Sequence, residues 1–207
     1  MGIQLAALVT PSYRFDLPGL VRQLYGTDAL LHGSKVPVDR ALCHGDPHVA
    51  TFSGHHWVFD WDQIISWLEE PVISRGFYAV FVLQPEAGFY GFAIFENGEL
   101  GRLRVGTTAQ GIISDFGPVL APEREAINRL FLPDEAARMQ TCWSGGGQQS
   151  DGITQNFLGT SIVLDLIAYQ TGALIPPDQE LPAPFFSETA YQVAVPEEPI
   201  LSRFQQA

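Results

Sequence analysis

The stretch FYAVFVLQPEAGFYGFAIFENGELGRLRV, residues 77–105, decides the fold. FYAVFVL (77–83) is apolar at every position, which suits a strand covered on both faces. Pro85 and Gly88 interrupt it, and FYGFAIFE (89–96) reads as a second strand. Asn97-Gly98 follows, a dipeptide that suits a two-residue hairpin turn because both central positions need positive φ. ELGRLRV (99–105) is then the return strand. Its period of two puts Arg102 and Arg104 on one face and Gly101, Leu103 and Val105 on the other. The expectation is a meander whose third strand has one wet face, and so lies at the edge of a sheet backed by helices.

Upstream, IQLAALV (3–9) is a further buried strand. Asp16 can cap a helix that has Pro18 in its first turn. Its apolar stripe is Leu17, Leu20, Val21, Leu24 and Tyr25, and Gly26 stops it. Residues 27–40 read as a loop. HVATFSG and HWVFDW read as strands around a Ser53-Gly54 turn, and Asp62 can cap a short helix with Ile64, Ile65 and Leu68. Downstream, Pro122, Glu123 and Glu125 open an acidic helical turn, and Pro133-Asp-Glu starts another helix. SGGGQQS (144–150) reads as a flexible loop. Asp151 can cap a long helix running to about Thr171, apolar around much of its girth and therefore central. Within it, Asp165 needs an arginine partner or a wet strip.

Six of the fifteen prolines fall in the last 35 residues. The expected organisation is a single α+β domain over 1–172, then a proline-rich tail over 173–207. The tail packs on the body through Phe185, Phe186 and Tyr191 or is partly mobile. The sheet is mostly antiparallel, of about five or six strands, with the long C-terminal helix at its centre.

Composition narrows the function. Lys and Arg total 11 against 23 Asp and Glu, a net charge of -12, with Lys35 the only lysine. Such a chain lacks the clustered cations that nucleic acids or anionic membranes require. With 46% hydrophobic and only 16% charged residues it has ample surface to bury, unlike a disordered acidic chain. No basic start with an apolar core opens the sequence, and Ala6 stands where a myristoylation signal prefers Ser or Thr, so a cytoplasmic location is expected. Cys43 and Cys142 form no CxxC pair and read as buried or semi-buried thiols.

Chemistry concentrates at HGDPH. His44, Asp46 and His48, with His56 and Asp60 beyond, are the types that hold zinc or another divalent metal, which would make a metal-dependent hydrolase. Pro47 opposes the helix that would bring His44 and His48 together. HGD followed by FDWD also resembles the catalytic loop of aminoglycoside and choline phosphotransferases, which implies Asp46 as base and Asp60 as magnesium ligand. Thr51 replaces the asparagine of that motif, and a glycine-rich phosphate loop is missing ahead of it, which sets kinase chemistry aside. SGGGQQS lacks the lysine of a phosphate cradle.

MGIQLAALV, LPGLVRQLYG, the turn at Gly54, FYGFAIFENGELGRLRVGTTAQGIISDFGPVLAPE (89–123) and LGTSIVLDLIAYQTG (158–172) together resemble a family of uncharacterised bacterial proteins defined by a domain of unknown function. The likeness is loose over 1–172 and strong over 89–123. HGDPH and the tail depart from its pattern. It implies one α+β domain and transfers no catalytic residue or reaction.

The expected function is non-catalytic: an acidic protein-binding module, of inhibitor or immunity type, for a basic protein partner. A negative surface speeds encounter with a positive one. Tyr90, Phe92, Arg102 and Arg104 on the aromatic ribbon are the candidate contacts, and no cofactor is needed. A third class is a structural subunit of a homo-oligomer, the tail reaching into a neighbour.

Overall fold

The computed structural model describes residues 4–42, 45–144, 152–172 and 184–195. Among them run β1 (Leu5–Pro11), α1 (Leu17–Tyr25), β2 (Leu30–Pro37), α2 (Val38–Ala41), β3 (His48–Phe52) and β4 (His55–Phe59). Then come α3 (Ile64–Glu69), β5 (Phe77–Gln84), β6 (Phe89–Glu96), β7 (Glu99–Thr107) and β8 (Gly111–Phe116). Last are α4 (Ala121–Leu130), α5 (Pro133–Trp143), α6 (Gly152–Thr171), α7 (Pro184–Ser187) and β9 (Thr189–Ala194).

Local signals explain several boundaries. Asp16 Oδ1 accepts the Gly19 N–H at 2.5 Å and caps α1, and Gly26 ends it at φ 97°. Asn97 and Gly98 adopt φ 53° and 80°, the two positive values that a tight β6–β7 hairpin needs. Ser53 and Gly54 do the same between β3 and β4. Asp62 does not cap α3. Asp60 does so from one position earlier than expected, because its Oδ1 accepts the N–H of Asp62 at 2.9 Å and of Gln63 at 3.0 Å.

The strands form one sheet in the order β2-β9-β3-β4-β1-β5-β6-β7-β8, and every neighbouring pair is antiparallel. Side chains alternate between two apolar layers. Leu5, Ala7 and Val9 of β1 join Trp57, Phe81 and Phe92 on the face covered by α4, α5, α6 and α7. Ala6 and Leu8 join Val58, Val80 and Phe95 on the face covered by α1 and α3. Both faces are covered, which is why β1 and β5 are apolar without alternation.

The expected five or six strands are corrected to nine. The three extra are β2, β8 and β9, in segments read as loop, connection and tail. β7 is not an edge, because β8 pairs along its outer side. The expected long central C-terminal helix is also corrected. The last helix among the described residues is the four-residue α7, and the 20-residue α6 lies on one face of the sheet, against α4 and β5–β8. Asp165 on α6 receives both bonds of a fork from Arg129 Nη2, at 2.5 and 2.6 Å. SGGGQQS and Phe186 lie largely or wholly outside what is described of side chains. No helix among the described residues is long and apolar enough to cross a membrane.

Candidate functional site

The antiparallel register sets Phe92 opposite Arg104 and Ile94 opposite Arg102, so both arginines share the face of Tyr90 and Phe92. That face is not wet. α4, α5 and α6 cover it, and Tyr90, Phe92, Arg102 and Arg104 are 0%, 0%, 1% and 0% exposed. The four candidate contacts therefore lie in the interior, where no partner can reach them without rearrangement.

A buried arginine needs carboxylates and acceptors for five N–H groups. Arg102 has them. Its Nε and Nη2 each reach Glu123 at 2.9 Å, and its Nη1 meets Asp115 and the carbonyls of Leu103, Phe116 and Gly117. Glu123, itself fully buried, also accepts the Leu120 N–H at 2.8 Å and the Trp143 indole N–H at 2.6 Å. One carboxylate thus caps α4, ties it to β7 and anchors the end of α5. Burial works against the Arg102 charge, but Glu123 and then Asp115 outweigh it and hold the guanidinium above the usual arginine value.

Arg104 is supplied differently. Only its Nη1 is bonded, to Asp115 Oδ2 and the Trp143 carbonyl, both at 2.6 Å. Its guanidinium carbon stacks 3.6 Å from the Trp143 ring centroid. The Tyr90 phenol lies against this guanidinium, yet its hydroxyl and Arg104 Nε and Nη2 have no partner of hydrogen-bonding geometry. Burial dominates and leaves Arg104 below its usual value, despite Tyr90 and Asp115, while it pushes the Tyr90 phenol up.

The His and Asp candidates are dispersed. His44 lies outside the described residues. His48 faces the layer of Phe59, its partner across the hairpin, whereas His56 pairs with Thr51 on the opposite face. The sheet therefore separates His48 from His56. Both nitrogens of His56 are engaged: Nε2 donates to the Phe15 carbonyl at 2.8 Å, leaving Nδ1 to meet the Thr51 hydroxyl at 2.7 Å. Asp46 is exposed and accepts from Gln192 Nε2 at 3.1 Å. Among the described residues no three His, Cys, Asp or Glu side chains converge as a metal set would.

Asp60, 3% exposed, accepts from the Tyr25 hydroxyl at 2.8 Å besides capping α3. Burial raises its carboxyl above the ordinary value, only partly offset by the Tyr25 and backbone hydrogen bonds. A carboxyl raised in the folded state favours its protonated form there. Its stabilising contribution is thus full below the unfolded value of about 3.9 and is lost as pH rises through the folded one. Asp60→Asn removes this titration. Urea titrations across that window should give a variant whose stability, relative to the parent, improves as pH rises. Parallel pH profiles for the two proteins would refute it.

Comparison with family models, curated proteins and solved structures finds no match to this chain. The arginine cluster was not foreseeable as a cluster. Its sequence signal was limited to two arginines at i and i+2 on an otherwise apolar strand, followed by a lone acidic helix start.

Proposed function

We propose that the chain is a non-catalytic, acidic protein-binding module of the cytoplasm, of inhibitor or immunity type, that takes a basic partner. The observation that carries this reading is the open edge at β8. The two ends of the sheet are not equally guarded. β2 carries Lys35, Pro37 and an irregular register between Leu31 and Lys35, the usual devices against edge pairing. β8 (GIISDF) has a register irregularity but neither lysine nor proline, and leaves Ile113 49% and Phe116 55% exposed. An extended segment of a partner can add to such an edge through main-chain hydrogen bonds, with side chains setting specificity. The net charge of -12 favours a basic segment and opposes a second copy of the same chain. A metal-dependent hydrolase finds less support, since the sheet separates His48 from His56.

Affinity purification at low salt tests the proposal with two baits, the parent and Phe116→Lys. The expected result is a basic protein held by the parent, released as salt rises, and at least tenfold depleted with the variant, whose circular dichroism is unchanged. Recovery of no salt-sensitive partner, or equal recovery by both baits, would sink it.

A further inference from the structure

We infer that the Nε/Nη2 edge of Arg104 and the Tyr90 hydroxyl form a binding site for one small carboxylate, of formate or acetate size. Both side chains are fully buried, and all three polar groups lack a hydrogen-bond partner. Buried donors are nearly always satisfied, and each exception calls for an acceptor. The neighbouring Arg102 shows what full satisfaction looks like here, with Nε, Nη1 and Nη2 all bonded. The unbonded edge of Arg104 is the fork whose two parallel N–H groups match the two oxygens of a carboxylate.

The surroundings present that edge and no other. Trp143 covers one face of the guanidinium, and Asp115 with the Trp143 carbonyl occupies Nη1. Charge compensation is also uneven. Glu123 serves Arg102, and Asp115 is shared between the two arginines, so Arg104 has half a counter-ion where Arg102 has more than one. The downward push that burial exerts on the Arg104 guanidinium agrees with this deficit. A carboxylate on the open fork supplies both the missing acceptors and the missing charge.

Tyr90 is placed by two glycines. A Cβ at Gly106 would stand 2.5 Å from its hydroxyl, and one at Gly159 would stand 2.3 Å from its ring. Only glycine on β7 and on α6 lets the ring lie between them with its hydroxyl beside Arg104. The same closeness limits the ligand to a few atoms. Thr160, next to Gly159, adds another buried hydroxyl without a partner. Trp57 Nε1 is also unpartnered, but it stands among Phe52, Phe59 and Phe185 with no cation to hold an anion. Asp115, at 25% the most exposed member of the cluster, marks the side from which a ligand arrives.

The test uses the full 15N-labelled chain titrated with sodium formate, exchanged for sodium chloride at constant ionic strength. The readouts are the Arg104 Nε–H resonance and the melting temperature. That resonance is assigned by its loss in Arg104→Lys or, should that variant not fold, by sequential assignment of the parent. Formate should move the resonance saturably and raise the melting temperature, as a ligand of the folded state must. Tyr90→Phe keeps the packed ring and should bind about tenfold more weakly, the loss expected for one hydrogen bond to a charged group. No saturable movement, an equal response to chloride, or unchanged affinity in Tyr90→Phe would each overturn the site.

Discussion

Glu123→Gln is expected to unfold about 3 kcal/mol more easily than the parent, a drop of about 10 °C in melting temperature for a domain of this size. The carboxylate is fully buried and is bonded at once to Arg102, Trp143 and the Leu120 N–H. Glutamine preserves the volume but removes the charge, and its amide nitrogen turns a donor toward a neighbour that also donates. Arg102 is then a buried cation that shares one carboxylate with Arg104. Most of the cost is this stranded charge rather than the worth of the pair, because forming a buried ion pair repays little beyond its own desolvation. The double replacement Arg102→Met with Glu123→Met should therefore recover much of the loss. Thermal and urea unfolding followed by circular dichroism measure both. A Glu123→Gln cost under about 1 kcal/mol would mean that water already reaches the cluster.

Phe185→Ala should cost about 3–5 kcal/mol, the range for emptying a buried aromatic site. Phe185 is fully buried, edge-on to Trp57 at 4.8 Å and to Phe52 at 5.3 Å. It also holds the C-terminal strand to the body. β9 meets β3 at only two register pairs, His48 with Gln192 and Val49 with Tyr191, but runs along β2 for much of its length. Losing the anchor should loosen β9 and β2 together. Hydrogen exchange should accelerate at their amides well before those of β5 and β6. Val195→Ala, at an exposed position, is the control and should change little. Uniform acceleration across the sheet would show instead that the C-terminal strand is not a separate cooperative unit.

The six strands legible in the sequence share a property that the other three lack. β1, β5 and β6 are near-continuous apolar runs, and β3, β4 and β7 flank two-residue turns that need positive φ. β2 (LLHGSKVP) is mostly exposed and carries the glycine and proline that elsewhere mark loops. β8 is an edge with one neighbour, so burial leaves little mark on its composition. β9 finds its partners more than 140 positions back, and nothing local reports such a pairing.

Parity in the hairpin was available from sequence alone. With Ser53-Gly54 as the turn, Phe52 faces His55, and counting outward puts His48 with Phe59 and His56 with Thr51. The metal set built from His48 and His56 fails on that count, before any helix is placed.

For Arg102 and Arg104 the strand period determined that they share a face, and that followed from residues 99–105 alone. Which solvent that face meets was decided elsewhere in the chain. Glu123 and Trp143, 21 and 39 positions further on, come down over the arginines only when α4 and α5 pack on the sheet. Side-chain alternation is a local property of extended backbone. Burial is a property of what lands on top, and a charged strand face reads the same in sequence whether water or a buried carboxylate will neutralise it.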